Sequence, residues 1–388
     1  MKNLILVLLF TSICYSQNQK LGVVLDAENK KPIEFADVYN TSDNTITNEN
    51  GKYFLLSNND SITFYKLGYK TLKTTFGALA DTIFLKEKTF ELTEVVLTNE
   101  ERLFDKVRKA VPENYPSEEY KERFFIRSTL RYDGDITRIQ DIQGKLKRKT
   151  LLYHSNMELE KKDFVFEVEN MRKVGLKDVT EDETDIYFRA RSLREILTET
   201  IQLSIVTENF EIEEQYFDNQ EKVRIAFTYN GENKKANNSG YYIIDLKDKA
   251  ILEYYQLSMP QLDFKQKKDI KYRVTRFEKN VLFDKDLESG KYVMKNAKIK
   301  TLVELKDNEE TFRTFFESED ILKSYGHFGS FKIRKNANET KEVFRLKFPY
   351  NKAFWASQNS LLLTDEMNAF ITKVSKSDNE FDVRSNLD

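Results

Sequence analysis

The sequence predicts a mostly β protein: an N-terminal seven-strand antiparallel sandwich, a connecting helix, and then a larger curved antiparallel β-meander with a few helices. Three observations predict it. The 388 residues include 20 Tyr and 29 Phe, aromatic residues that favour strands. Short apolar or alternating runs recur along most of the chain, separated by turn signals. Helical periodicity is confined to a few segments.

The chain opens "MKNLILVLLFTSICYSQNQK". Lys2 supplies a positive start, Leu4 to Phe10 an apolar core, and Cys14-Tyr15-Ser16 a small-x-small cleavage signature, so residues 1–16 read as a signal peptide. The apolar run is far shorter than the ~20 residues a membrane-spanning helix needs. Ile13 stands before Cys14, where acylation of the cysteine would call for a small residue. Cleavage after Ser16 removes the only cysteine, so stability is expected from burial rather than disulfides. With 40% hydrophobic residues the chain can bury sizeable cores. No later run has membrane-spanning length, and the expected location is the periplasm or the outer membrane's surface, with secretion as an alternative.

Charge excludes one class of partner. The 62 basic and 64 acidic residues are interspersed and the net formal charge is -2, whereas nucleic-acid binding needs a basic face. The cluster "KLKRK", Lys145 to Lys149, reads as a solvated strand or hairpin rim.

Residues 20–86 form the predicted sandwich. Its strands are "LGVVLDA", "EFADVY", "TIT", "KYFLL", "SITFY", "YKTLKTTF" and "DTIFL". Asn50-Gly51 supplies the positive φ values of a tight hairpin turn, and Pro32 and Asp43-Asn44 mark earlier breaks. Gly22, Asp26, Pro32, Ala36, Val38, Thr47, Gly51, Tyr53, Gly68 and Tyr69 occupy a pattern that resembles the carboxypeptidase-regulatory-like domain of exported Bacteroidetes proteins. That resemblance implies a transthyretin-like sandwich, an accessory module found on proteins of several functions. The matching residues are turn and core residues, none of them a catalytic group.

The following stretch, "KTFELTEVVLTNE" at 88–100, contains Leu92, Glu94, Val95 and Val96. It is similar to the coupling segment behind such a module in TonB-dependent receptors, but its short apolar run reads first as a connecting strand or packed linker. Too little chain follows for a transporter barrel of some twenty strands. Residues 87–120 then read as a linker holding a helix, in which Leu103, Phe104, Val107, Ala110 and Val111 share a face and Pro112 with Pro116 ends it.

Residues 121–349 read as the β-rich domain. In "KERFFIRSTLRY", Phe124, Ile126, Ser128, Leu130 and Tyr132 alternate with Arg127, Thr129 and Arg131, predicting a half-buried strand. Further strand runs include "KVRIAFTYN", "GYYIIDL", "AILEYYQLSM", "IKYRVTRFEKNVLF", "KYVMKNAKIKTLVEL" and "TFRTFFES". "SLREILTETIQLSI" interrupts them with Leu193, Ile196, Leu197 and Ile201 at helical spacing. Residues 350–388 read as a helical tail, Thr364 capping a helix that ends in lysines, with Trp355 buried as its anchor. The segments "AVPENYP", "GYYIIDLKDKAILEYY" and "FPYNKAFWASQNSLL" loosely resemble β-rich exported Bacteroidetes proteins of unassigned activity. The middle one is also similar to a strand pair of outer-membrane lipoprotein carriers.

The two histidines, His154 and His327, stand in no metal-binding spacing, and no nucleophile elbow or phosphate loop occurs. "DKDLESG" (Asp284, Asp286, Glu288, Gly290) lacks the distal glutamate of a calcium loop and reads as a hairpin turn, and "EDETD", Glu181 to Asp185, as a solvated loop. No catalytic, cofactor-binding or metal residue is assigned. The expected function is a non-catalytic exported cell-envelope protein that binds an envelope protein or an apolar ligand. The alternatives are a periplasmic lipid or lipoprotein carrier with a half-barrel cavity, and a hydrolase of unrecognised type.

Overall fold

The computed structural model describes residues 18–88, 103–152, 158, 160–175, 189–202, 210–229, 231, 236–267, 269–286, 288–309, 313–325, 330–358 and 360–376. The signal-peptide expectation, the 89–100 coupling stretch, both histidines and the run Glu181 to Asp185 lie outside these residues. The chain divides into two compact units, one running through Glu87 and including the segment that ends at Thr364, the other holding Lys88–Gln358 and the chain from Asp365.

The first unit has seven strands: β1 (Asn18–Asp26), β2 (Asp37–Tyr39), β3 (Asn44–Ile46), β4 (Lys52–Ser57), β5 (Ser61–Tyr65), β6 (Leu72–Thr75) and β7 (Thr82–Leu85). They form two sheets, β4-β1-β7 and β3-β2-β5-β6. Strand alternation sends Val24, Val38, Tyr53, Leu55, Ile62 and Phe64 into one core. One pair departs from antiparallel order: β7 lies parallel to β1, because it reaches that strand by crossing back from the other sheet. The turn at Asn50-Gly51 also differs from the expected hairpin. It is a corner between the two sheets, and only Gly51 has positive φ (71°). The Asn48 side chain holds this corner by accepting from the backbone N–H groups of Asn50 and Lys52, both at 3.0 Å.

The second unit starts with helix α1 (Leu103–Asn114). The helix runs three residues past the expected end at Val111, with Pro112 in its last turn. A proline there forfeits a single helical bond, and the Tyr115 N–H still reaches the Val111 carbonyl at 2.9 Å. Beyond it lies one antiparallel eleven-stranded sheet in the order β10-β9-β8-β18-β17-β16-β14-β13-β12-β11, with β15 paired to β16. Its strands are β8 (Tyr120–Tyr132), β9 (Asp135–Arg148), β10 (Phe164–Gly175), β11 (Phe210–Phe217), β12 (Lys222–Tyr229), β13 (Ala236–Asp245), β14 (Ala250–Pro260), β15 (Lys265–Lys267), β16 (Ile270–Lys285), β17 (Tyr292–Asp307) and β18 (Arg313–Ser324). The protein is thus mostly β, with few helices. The meander comes in two runs: after β10 the chain passes to the far edge, and β18 closes back on β8.

Helix α2 (Leu193–Ile201) stands between those runs and packs on β17. Its buried face is Leu193, Ile196, Leu197 and Ile201. A capping box starts it: Ser192 accepts from the Glu195 N–H while the Glu195 carboxylate accepts from the Ser192 N–H. Helices α3 (Lys352–Ser357) and α4 (Asp365–Lys376) follow the last strand.

Two expectations of solvent exposure fail. Arg127 on β8 is 1% exposed, because the centre of that strand is covered on both faces. It pairs with Asp141 (2.8 Å), which also holds Arg172, and Trp355 of α3 lies against the Arg172 guanidinium at 4.8 Å. Arg148, in the supposedly solvated "KLKRK" cluster, is likewise buried, and its guanidinium bonds Glu122, which also accepts from Ser324. Burying a charge requires such an opposite partner. The "DKDLESG" stretch is the hairpin between β16 and β17, closed by the Gly290 N–H on the Asp286 carbonyl at 2.8 Å.

Candidate functional site

A cavity of about 360 Å³ lies in the second unit on the sheet face that also carries α2. Its floor comes from alternate residues of neighbouring strands: Ile270, Tyr272 and Val274 on β16, and Thr301, Val303 and Leu305 on β17. Register puts them side by side, Tyr272 opposite Leu305 and Val274 opposite Val303. Ser318 of β18 and Lys267 of β15 complete the sheet side, and Arg189 and Arg191 the opposite wall.

Backbone bonds hold that wall in place. The Arg194 N–H donates to the Glu339 carbonyl (2.9 Å), and the Val343 N–H to the Arg191 carbonyl (3.1 Å). Arg191 reaches onto the sheet, donating to Asp320 Oδ2 at 2.9 Å, to Ser318 Oγ at 3.3 Å and to Thr301 Oγ1. Asp320 also accepts from Ser128 Oγ at 2.5 Å. Burial pushes the Asp320 carboxyl up, and the Arg191 charge only partly offsets it. Arg189 is more open and donates to both oxygens of Glu195 at 2.7 Å. Burial would raise the Glu195 carboxyl, but its bonds from Ser192 and Arg189 outweigh that and hold it below the usual carboxylate range. Lys267 is exposed and has no carboxylate partner among the described residues.

The site therefore joins an apolar floor to a wall of N–H and O–H donors. Its size suits a small molecule, since ligand cavities run roughly 300–1,000 Å³. Among the described residues no cluster of three or more His, Cys, Asp or Glu could hold a metal ion. The sequence assigned none of the lining residues. They come from five chain segments between positions 189 and 318, and only the alternation within β16 and β17 signalled that Val274, Val303 and Leu305 face one way.

Comparison with known proteins concerns mainly the first unit. Residues 21–97 match the family of the CarboxypepD_reg-like domain. That match supports a CarboxypepD_reg-like domain at the N-terminus. The match spans about a fifth of the chain and takes in strands of the first unit and the Gly51 corner. No curated protein matches the sequence. Among solved structures, a lipovitellin structure concerned with lipid–protein interactions shares 12% identity at a TM-score of 0.25, covering 64% of this chain and 29% of its own. The chain thus spans less than a third of that protein's length. Pseudomonas aeruginosa OccK1 (OpdK) shares 9% identity at a TM-score of 0.18, covering 55% of this chain and 70% of its own. OpdK with vanillate shares 8%, also at 0.18, covering 55% and 71%. Likenesses at these scores decide neither fold nor function.

Proposed function

We propose that this is a non-catalytic, exported cell-envelope protein of Bacteroidetes type that binds an apolar ligand in the cavity of its large sheet. The CarboxypepD_reg-like domain serves as an accessory interaction module. In this reading residues 1–16 direct export, and the mature chain works in the periplasm or on the outer membrane. The single observation that carries the reading is the cavity of about 360 Å³ over Ile270, Val274, Val303 and Leu305. Ile270, Val303 and Leu305 are themselves buried and Val274 is half-buried, so the cavity floor presents packed aliphatic carbon that an apolar chain can lie against without displacing a polar group.

Native mass spectrometry of the chain purified from its own envelope fraction tests this. A lipid-sized mass lost under mild activation, and absent from a Val303→Trp variant that fills the cavity, supports it. A bare polypeptide sinks the ligand reading, and a co-purifying protein in its place leaves the chain a protein-interaction module.

A further inference from the structure

Resting on that ligand-binding reading, we infer that the cavity selects an amphiphile with one anionic head group, a carboxylate or a phosphate monoester. Its chain lies on the aliphatic floor and its head meets the arginine wall. The cavity is polarised in this way. Val274, Val303 and Leu305 offer no polar atom, while Arg191, Thr301 and Ser318 gather donors on one side.

Arg191 is the preorganised element. Three protein acceptors fix its guanidinium, so holding a ligand there costs little side-chain entropy. Those bonds engage three of its five N–H groups, leaving two without an acceptor among the described residues. Glu195 and Asp320 answer Arg189 and Arg191 one for one, and Lys267, opposite Ile270, stands at the other end of the floor from Thr301 and Ser318. The Arg189–Glu195 pair is exposed, with Arg189 59% accessible, so it is weak enough for Arg189 to turn toward an anion. Thr301 and Ser318 hydroxyls can turn toward the same oxygens.

Calorimetric titration of the purified full chain with dodecanoate, dodecyl phosphate and dodecanol tests the inference. Charge-assisted hydrogen bonds predict that one or both anions bind on the order of tenfold or more tighter than the alcohol. Whichever anion wins identifies the head group. An Arg189→Gln variant, altered only at an exposed position, is expected to lose part of that preference while Arg191 keeps the rest, and added salt to reduce it in the natural chain. Equal binding of acid, phosphate and alcohol would overturn the head-group inference and leave the apolar cavity standing. Binding of none by a protein that still melts cooperatively would overturn both.

Discussion

Lys279 should make this protein more stable as the solution turns alkaline. The residue sits on β16, 3% exposed, with its ammonium over the Tyr254 ring at 5.4 Å. Its Nζ donates to the carbonyls of Glu199 (3.2 Å) and Gln202 (2.6 Å), where α2 ends, which is where a helix favours a cation. No carboxylate bonds it there. Burial, opposed weakly by the Glu199 charge, brings its pKa down from 10.5 to about 8. Between those values the unfolded chain holds a proton that the folded chain has released, so stability rises with pH across that window. At about 1.4 kcal/mol per pH unit the whole window is worth about 3 kcal/mol, of which roughly 2 is recovered by pH 9.5. The assay is urea unfolding from pH 7 to 9.5 of the natural chain and of Lys279→Met, which keeps the apolar stem and cannot titrate. Every other titrating group is common to both, so the buried tyrosines, whose raised pKa values remove stability only above pH 10, cancel in the difference. The natural chain should gain about 2 kcal/mol on the variant across this range. Parallel profiles would refute the reasoning, whatever constant offset the lost helix cap imposes.

Asp141→Asn leaves Arg127 and Arg172 buried with no counter-ion, and should cost about 3–5 kcal/mol in urea unfolding at neutral pH. A loss below about 1 kcal/mol would show the two arginines finding water instead. Burial would raise the Asp141 carboxyl, but the two guanidinia outweigh it and hold it low, so this stabilisation is present at neutral pH and lost only as pH falls below the ordinary Asp range. Ser192→Ala breaks the capping box of α2 and is expected to lower stability by about 1 kcal/mol, read as a shifted urea midpoint at unchanged slope. Gly240→Ala drives a methyl group into the Tyr255 carbonyl and the Phe227 ring, and should destabilise by about 1–3 kcal/mol in the same assay.

What the sequence revealed follows from the range of the forces involved. Alternation is local, and it placed the strands of both units, with Tyr53 and Leu55 of β4 facing inward together. The face of α2 was equally plain, since Leu193, Ile196, Leu197 and Ile201 need only a period near 3.6. The same local rule misread Arg127 and Arg148. A charged residue in an alternating run looks solvated unless the reader knows what lies across it. Arg127 is covered through contacts that involve Phe125, Arg172 and the distant Trp355, and Arg148 through Glu122 and Ser324. Nothing near either arginine in the chain encodes that cover.

The cavity was illegible for a further reason, rooted in the path of the chain. β10 cannot be followed by a neighbouring strand, because Asn336 occupies its free edge, accepting from the Val168 N–H at 2.7 Å and donating to the Val168 carbonyl at 2.8 Å. The next strand, β11, therefore lies at the opposite edge, and the segment leading through α2 comes between. That segment carries Arg191 onto β17 and β18, where Thr301, Ser318 and Asp320 anchor it. A helix resting on long twisted strands covers only part of their apolar face. Beyond its first turn, Ile270, Val274, Val303 and Leu305 are left beneath two arginines rather than beneath aliphatic side chains. The site is thus a product of the crossing, and its chemistry depends on which residues the crossing brings first. Filling the floor with Val303→Trp should therefore abolish ligand binding while leaving the Arg191–Asp320 anchor formed, which separates the cavity's role from the stability of the wall above it.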